Sequence, residues 1–316
     1  MAPGGALVVG LDVGGTKVLG VAMDPGSGEV VAERRVATPA GGAALVDVLA
    51  ETAKVLSDGD IRAVGVGIAG LVDRRGVVRY SPNLPGIVDL DLPRALGGRL
   101  GVPVVVDNDA TAATVAEHRL GAGIDVDDMI YVALGTGIGG GVVFDGAVRR
   151  GANGFGGEFG HMILDPDGPA CACGRRGCWE ALASGNALGQ LARDHVAGGI
   201  APAILAAAGG DVDGVTGEHA VAAAAAGDDA ALRVLEAFGD KVGMGVAALV
   251  TALDPSLVVM GGGVIDAGEL VMAPIRAAVA RRILGGAHRP AVPVVAGAFG
   301  GRSAAIGAAS AAASPD

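Results

Sequence analysis

Two apolar segments of the sequence each run into a glycine-rich turn and then resume, about 120 residues apart. The first turn spans residues 12–17 and reads DVGGTK, and the second spans residues 135–141 and reads GTGIGGG. Short apolar runs bounded by glycines are typical of β-strands, so each unit predicts a strand, a turn and a second strand. Their repetition predicts a duplicated α/β architecture, in which turns of two domains face a nucleotide in the cleft between them.

Apolar periodicity places the other elements and suggests a domain boundary. Further strands are predicted at residues 30–38, 63–68, 102–106, 257–260 and 292–296. Helical spacing predicts a helix ending near residue 56 and a helical region over residues 201–253 that ends in one long helix. We expect a small domain of residues 1–118, to which a C-terminal helix at 301–316 returns, and a large domain of residues 119–300.

Composition and charge restrict the partners and the compartment. A chain of 316 residues, of which 51% are hydrophobic, can bury a large core without disulfides. The formal net charge of -11 argues against nucleic acid and anionic membranes as partners. The N-terminus lacks the basic and apolar stretches of a signal peptide, and no apolar run reaches the roughly 18 residues of a membrane helix. We therefore expect a soluble cytoplasmic protein.

The first turn combines an acid, two glycines, a hydroxyl and a cation at the end of a strand, a combination that lets backbone N–H groups approach phosphates. Its members are Asp12, Gly14, Gly15, Thr16 and Lys17. Glycines also follow two later strands, at residues 135–141 and 261–263. Each turn alone is equally consistent with an ordinary hairpin, and the sequence holds neither a P-loop ending nor a Rossmann fingerprint. Together the three turns favour nucleotide binding.

Asn108 and Asp109 follow the valine-rich strand predicted at 102–106, together with Asp107. Their side chains should emerge at the carboxyl end of that strand, where α/β sheets bind ligands. A carboxylate there can accept the proton of a substrate hydroxyl as it attacks a phosphorus atom. The alternative is that Asp109 is only the N-cap of the helix that follows, and both roles are compatible.

A cluster of one histidine and three cysteines lies within eighteen residues. Its members are His161, Cys171, Cys173 and Cys178. This Cys₃His set is a donor set of structural zinc, and four protein ligands leave no open position for catalysis. The alternatives are buried free thiols or a redox pair. Four donors within eighteen residues, separated by glycine-rich turns, disfavour both. Three cysteines in one short segment also suit a reducing compartment better than a disulfide framework.

Two acids, Glu158 and Glu180, flank this cluster. Carboxylates held rigidly are good acceptors for sugar hydroxyls, although solvated surface acids are the simpler interpretation. Asn83, in the segment Ser-Pro-Asn, is either a further hydroxyl ligand or part of a turn.

Taken together, the motifs resemble the ROK family of bacterial sugar kinases and repressors, within the actin and hexokinase superfamily. The resemblance is carried by DVGGTK at 12–17, Asn108-Asp109, LGTGIGGG at 134–141, Glu158-x-x-Gly-His161 and the run from Cys171 to Glu180. It implies an actin-like ATPase (ribonuclease H-like) fold over nearly the whole chain. It also implies an ATP-dependent hexose kinase, with glucose favoured as the substrate and a homodimer or homotetramer as the assembly.

The resemblance assigns a role to each motif. Asp109 is the implied general base on the sugar 6-hydroxyl, and Asp12 is implied to assist the Mg²⁺ that accompanies ATP. The implied sugar ligands are Asn83, Asn108, Asp109, Glu158, His161 and Glu180. The implied nucleotide contacts are Asp12, Gly14, Gly15, Thr16, Lys17, Gly135, Thr136, Gly137, Gly262 and Gly263. One nitrogen of His161 would then bind zinc while the other donates to a sugar hydroxyl.

Other activities within the same family remain as alternatives. Kinases for fructose, mannose, allose or N-acetylmannosamine, or enzymes that use polyphosphate as donor, would share the same loops and base. A sugar-responsive repressor is the more distant alternative. We expect no DNA binding, because only about six residues precede the first predicted strand and the net charge is strongly negative.

Overall fold

The computed structural model describes residues 6–314. Two predictions concern residues that lie partly outside this range: the absence of a signal peptide and the last part of the helix at 301–316. The strands are β1 (Leu7–Val13), β2 (Lys17–Met23), β3 (Val30–Ala37), β4 (Ile61–Ile68), β5 (Leu71–Val72), β6 (Val77–Tyr80), β7 (Val88–Asp91), β8 (Val104–Asn108), β9 (Met129–Leu134), β10 (Ile138–Phe144), β11 (Ala147–Val148), β12 (Leu257–Gly261) and β13 (Val294–Ala296). The α-helices are α1 (Gly42–Leu56), α2 (Leu92–Leu100), α3 (Asp109–Leu120), α4 (Trp179–Ala183), α5 (Gly185–Ala197), α6 (Pro202–Ala207), α7 (Gly217–Ala225), α8 (Asp229–Leu253), α9 (Glu269–Arg282) and α10 (Ser303–Ala313).

The first sheet contains five strands in the order β3-β2-β1-β4-β8. β1 pairs antiparallel with β2 and parallel with β4, which in turn pairs parallel with β8. Asp12 lies inside β1, where it is paired with Leu19, although the sequence pattern predicts it in the turn after the strand. The ladder continues to Val13 because that residue is apolar and fully buried, so the turn is shorter than predicted.

Two apolar layers cover this sheet. One contains the inward side chains of α1 and α2, and the other contains those of α10. The α10 helix approaches the strands closely because Gly10 and Gly65 face it: a Cβ atom added at Gly65 would lie 1.8 Å from the carbonyl oxygen of Ala308. The same helix packs against α3. The helix α3, which begins with Asp109, therefore packs against both α10 and β4.

The second sheet has the strand order β11-β10-β9-β12-β13. β10 begins at Ile138, so the glycine turn after β9 contains only Gly135–Gly137, and the three glycines that follow belong to the strand. The sequence pattern predicts all seven residues of 135–141 in the turn, because strand glycines cannot be distinguished from turn glycines by composition. The helical region predicted over 201–253 forms three helices, α6, α7 and α8, of which α8 is the predicted long helix.

A small third sheet, β5-β6-β7, was not predicted. Its strands have two to four residues each, and β7 exposes three of its four residues, so the sequence carries no alternating apolar pattern there. Among the described residues, no helix is long and apolar enough to cross a membrane.

The chain divides into two compact units. Of the described residues, the first contains 6–131, 140–157 and 297–314, and the second contains Val132–Gly139 and Glu158–Ala296. The boundaries expected at residues 118 and 300 stay predictions about the domains.

Candidate active site

The first glycine turn lies between β1 and β2 in the first unit. The N–H of Gly14 donates to the carbonyl of Lys17 over 3.0 Å, and the hydroxyl of Thr38 donates to the carbonyl of Gly14 over 2.7 Å. A Cβ atom at Gly15 would lie 2.9 Å from the carbonyl oxygen of Asn83. The predicted sugar ligand Asn83 and the predicted phosphate turn are therefore neighbours, and both are exposed to solvent.

Asn108 and Asp109 mark the junction of β8 and α3. The side-chain oxygen of Asn108 accepts from the N–H groups of Ala110 and Thr111 at 2.9 and 3.1 Å, and its amide donates to the carbonyl of Gly70 at 3.1 Å. Asn108 is therefore the N-cap of α3, and the interpretation of Asp109 as the N-cap is wrong. Because Asn108 supplies the cap, Asp109 occupies the first turn of the helix, where its Oδ1 atom accepts from the N–H of Ala110 over 2.8 Å.

Asp12 and Asp109 are two partly buried carboxylates of the first unit. Protein atoms surround Asp109 on most sides, and this burial raises its pKa above the usual range. Burial, followed by the nearby charge of Asp109, raises the pKa of Asp12 to about 7, while Lys17 lowers it. Protons therefore remain on this pair at a pH where ordinary aspartates are ionised.

An ion pair next to these residues was not predicted from the sequence. Arg150 donates from Nε to the carboxylate of Asp107 over 2.7 Å, and the same side chain of Asp107 accepts from the N–H of Asn108 over 3.0 Å. Both charged side chains are largely buried. Asp107 was noted at the strand end, but nothing in the sequence links it to an arginine 43 positions away.

The four predicted metal ligands lie together in the second unit. Their donor atoms all lie within 4.8 Å of one another. The Sγ atom of Cys171 is 3.8 Å from Nδ1 of His161, and the Sγ atoms of Cys173 and Cys178 are 3.6 Å apart. Sulfur atoms on a tetrahedral zinc ion are about 3.8 Å apart, since a Zn–S bond measures about 2.3 Å. The donor set and its spacing fit one tetrahedral zinc ion.

Tight backbone turns bring these ligands together. The N–H of Cys171 donates to the carbonyl of Arg175 over 2.8 Å, which closes the loop that carries Cys173. Gly177 has a φ of 67°, and a Cβ atom there would lie 1.5 Å from the carbonyl oxygen of Asp165, so only glycine fits. The side chain of Arg175 lowers the pKa of the Cys173 thiol to about 6, which favours the thiolate form that binds metals.

The predicted sugar ligands of the second unit are built onto this loop. With Nδ1 directed at the cysteines, the Nε2 atom of His161 lies 3.9 Å from the carboxylate of Glu158. Glu180 lies in the first turn of α4, two residues after Cys178, with Oε1 3.9 Å from the Sγ atom of Cys171. Trp179 is fully buried, and its indole N–H donates to the carbonyl of Lys241 over 3.1 Å. It is therefore a packing residue.

The second and third glycine segments are neighbours in the second unit. The N–H of Gly135 donates to the carbonyl of Gly137 over 3.0 Å, which makes a narrow turn with Thr136 exposed at its tip. Gly262, with a φ of 87°, approaches the end of β9 so closely that a Cβ atom would lie 2.5 Å from the carbonyl oxygen of Leu134. Gly263 follows it and is exposed.

Comparisons with known proteins agree with this arrangement. The ROK family profile matches residues 8–314. A glucokinase of Streptomyces coelicolor is 38% identical over 314 residues, which is 98% of this chain and 98% of that protein. A glucokinase of Thermotoga maritima is 35% identical and covers 88% of this chain and 88% of its own length.

A solved structure gives the same result for the fold. The crystal structure of a ROK family glucokinase from Streptomyces griseus, in complex with glucose and AMPPNP, has 40% sequence identity and a TM-score of 0.88. The match covers 97% of this chain and 99% of that one. The predicted actin-like ATPase fold is thereby confirmed. On the whole-length match to the profile, the chain belongs to the ROK family.

Proposed function

We propose that this protein is a glucokinase that transfers the γ-phosphoryl group of ATP to the 6-hydroxyl of glucose. The observation that carries the proposal is the match along nearly the whole chain to ROK glucokinases, one of them solved with glucose and AMPPNP. The site residues support it, because each unit supplies a set of polar groups suited to phosphoryl transfer to a sugar.

Asp109 is the proposed general base. Its carboxylate would accept the proton of the 6-hydroxyl as that oxygen attacks the phosphorus atom. Two observations support this role: the raised pKa brings the proton affinity of Asp109 closer to that needed near neutral pH, and Asn108 has already satisfied the helix cap. Asn108 and Asn83 are the proposed hydroxyl ligands of the same unit.

Glu158, His161 and Glu180 are the proposed hydroxyl ligands of the second unit. The zinc-binding loop supports this proposal, because bonding of Nδ1 to a metal fixes the ring and leaves the Nε2–H of His161 as a donor. The nearby carboxylate of Glu158 can accept from sugar hydroxyls. Zinc is thus proposed to be structural, since four protein ligands complete its tetrahedron.

The glycine turns are the proposed phosphate and adenosine contacts. Backbone N–H groups of Gly15, Thr16, Thr136 and Gly137 would bind phosphate oxygens, while the N–H groups of Gly14 and Gly135 close the two turns. Lys17 would add a positive charge, and Gly262-Gly263 would lie near adenosine. A kinase of this type uses ATP with a divalent ion such as Mg²⁺, which neutralises phosphate charge during transfer. Asp12 is the residue proposed to assist that ion.

Two further properties are proposed from the family and from the cysteines. Three thiolates held for a metal are best kept in a reducing compartment, which supports a cytoplasmic location. The resemblance supports a homodimer or homotetramer, and light scattering of the purified protein tests it.

Steady-state assays with a panel of sugars and donors test the function. With ATP and Mg²⁺ we expect glucose to give the highest kcat/KM among glucose, fructose, mannose, allose and N-acetylmannosamine. Polyphosphate should be a poor donor at matched phosphoryl concentration. Phosphorylation of another hexose with no turnover of glucose would reject the assignment.

A further inference from the structure

The carboxylate of Glu180 contacts the second glycine turn directly. Its Oε2 atom accepts from the backbone N–H of Ile138 over 2.9 Å. A Cβ atom at Gly137 would lie 2.3 Å from the same oxygen, so the turn has room for this carboxylate only because residue 137 is glycine. The side chain proposed to bind sugar therefore also holds the end of the Gly135–Gly137 turn.

The other end of the turn is held by the same part of the chain. The N–H of Gly185, the first residue of α5, donates to the carbonyl of Gly135 over 2.7 Å. The N–H of Ser184 donates to the carbonyl of Glu180 over 3.1 Å, which joins α4 to the start of α5. The segment from 180 to 185 thus contacts the turn at both ends.

Glu180 is itself fixed by its neighbours. It follows Trp179, which is fully buried and bonded to α8 through the carbonyl of Lys241. Gly245 of α8 makes room for the indole, because a Cβ atom there would lie 2.1 Å from Trp179. The candidate metal ligand Cys178 directly precedes Trp179 in the chain. The position of the Glu180 backbone is therefore set jointly by α8 and by the loop that carries the candidate metal ligands.

We propose that Glu180 is a positioning residue for the nucleotide as well as a sugar ligand. By accepting the N–H of Ile138, its carboxylate holds the Gly135–Gly137 turn in the conformation that presents N–H groups to phosphate oxygens. The zinc loop thereby supports nucleotide binding in addition to sugar binding. This inference rests on the proposed function, because it takes the turn to be a phosphate contact of ATP.

Nucleotide binding without sugar tests the proposal. We would measure the Kd of AMPPNP with Mg²⁺ by calorimetry, in the absence of glucose, for the native protein, Glu180→Ala and Glu180→Gln. A purely sugar-binding Glu180 would leave this Kd unchanged in both variants, which would overturn the proposal. We expect Glu180→Ala to weaken AMPPNP about tenfold, since it removes a hydrogen bond to a charged acceptor. Glu180→Gln keeps an acceptor oxygen and should recover most of the affinity.

Glu236→Ala is the matched control, because it removes another carboxylate of the second unit, at an exposed position of α8 outside the proposed site. It should leave the Kd of AMPPNP unchanged. Equal losses of AMPPNP affinity in Glu236→Ala and Glu180→Ala would overturn the specific role of Glu180. Metal content and melting temperature are measured for every variant, so that a loss of fold is recognised.

A double-mutant cycle tests the contact itself and does not depend on Glu180→Ala alone. Gly137→Ala should weaken AMPPNP about tenfold in the native protein, because the new methyl group meets the Glu180 carboxylate. In the Glu180→Ala background the same substitution should cost less than about twofold, since the effects of contacting residues do not add. Additive effects would overturn the proposal. Failure of the native protein to bind AMPPNP would instead reject the proposed function.

Discussion

At the scale of single residues, the pair Asp12 and Asp109 shows how the fold creates reactive carboxylates. Asp12 lies near the end of β1, and Asp109 directly follows β8 of the same sheet. Burial raises both pKa values, and the charge of Asp109 adds to the effect on Asp12. Such an arrangement costs folding free energy, and a protein retains it when the raised pKa serves catalysis or ligand binding.

The role of Asp109 is tested by Asp109→Asn. The amide keeps the shape of the side chain but cannot accept the proton of the sugar hydroxyl, so we expect kcat to fall about a thousandfold. The Kd of glucose should change much less, because an amide oxygen still accepts hydrogen bonds. Steady-state assays measure kcat and calorimetry measures the Kd of glucose, so the two effects are distinguished. A variant with nearly native kcat would exclude Asp109 as the base.

The raised pKa of Asp12 predicts how stability depends on pH. Between the unfolded value of 3.8 and the folded value of about 7, the folded state holds a proton that the unfolded state has lost. Unfolding then releases protons, so the free energy of unfolding decreases as pH rises through this window. Asp12→Asn lacks the penalty, which amounts to a few kcal/mol because each pKa unit is worth about 1.4 kcal/mol.

The measurement is the melting temperature of both proteins between pH 4 and 8, without nucleotide and without added Mg²⁺. The advantage of Asp12→Asn over the native protein should be small near pH 4 and should grow until about pH 7 to 8. Lys17 and Asp109, which face Asp12, are present in both proteins. A difference that stays constant with pH would show that the pKa of Asp12 is ordinary.

At the scale of secondary structure, the placement of α10 on the first sheet depends on glycines at the contact. Gly10 and Gly65 lie on neighbouring strands, and each faces a backbone carbonyl of α10 at a distance that excludes any side chain. Gly307 of α10 is equally close to the backbone of α3, where a Cβ atom would lie 1.7 Å from the carbonyl oxygen of Ala112. These contacts fix the helix that begins with Asp109.

Gly65→Ala tests this packing. The added methyl group would meet the Ala308 carbonyl, which cannot move without moving α10, so we expect a loss of about 3 kcal/mol or more in the free energy of unfolding. Gly98→Ala is the matched control: residue 98 is exposed within α2 and has open space around it. That substitution should stabilise the protein by about 0.5–1 kcal/mol. Urea unfolding of both variants gives the comparison, and equal stabilities would contradict it.

The sequence was informative where one physical signal dominates. The four candidate metal ligands could be predicted because four metal-binding donors within eighteen residues rarely occur together unless they share a metal, and the structure brings them together. The Ile138–Glu180 hydrogen bond and the Arg150–Asp107 ion pair could not be predicted, because they join residues 42 and 43 positions apart. Packing of distant elements creates such contacts, and local patterns of one sequence carry no trace of them.

At the scale of the whole molecule, the second unit is organised around the loop of the four candidate metal ligands, residues 161–178. The loop contributes His161 and the cysteines, continues into α4, and is anchored to α8 by Trp179. Through Glu180 it also reaches the glycine turn after β9. Removing the metal should therefore destabilise a large part of this unit, rather than one exposed loop. It should also weaken the binding of both glucose and ATP.

Metal analysis and thermal unfolding test this expectation. The purified protein should contain one zinc ion per chain, and a strong chelator or Cys171→Ser should lower the melting temperature by about 5 °C or more, because metal-binding free energy contributes to folding. Activity should fall together with stability, and added zinc should restore both in the chelated native protein. His288→Ala, at an exposed histidine away from the cluster, should keep the metal and the stability. A metal-free native protein with unchanged melting temperature would refute the structural role, since the four donor atoms would then have gathered without a metal to hold them.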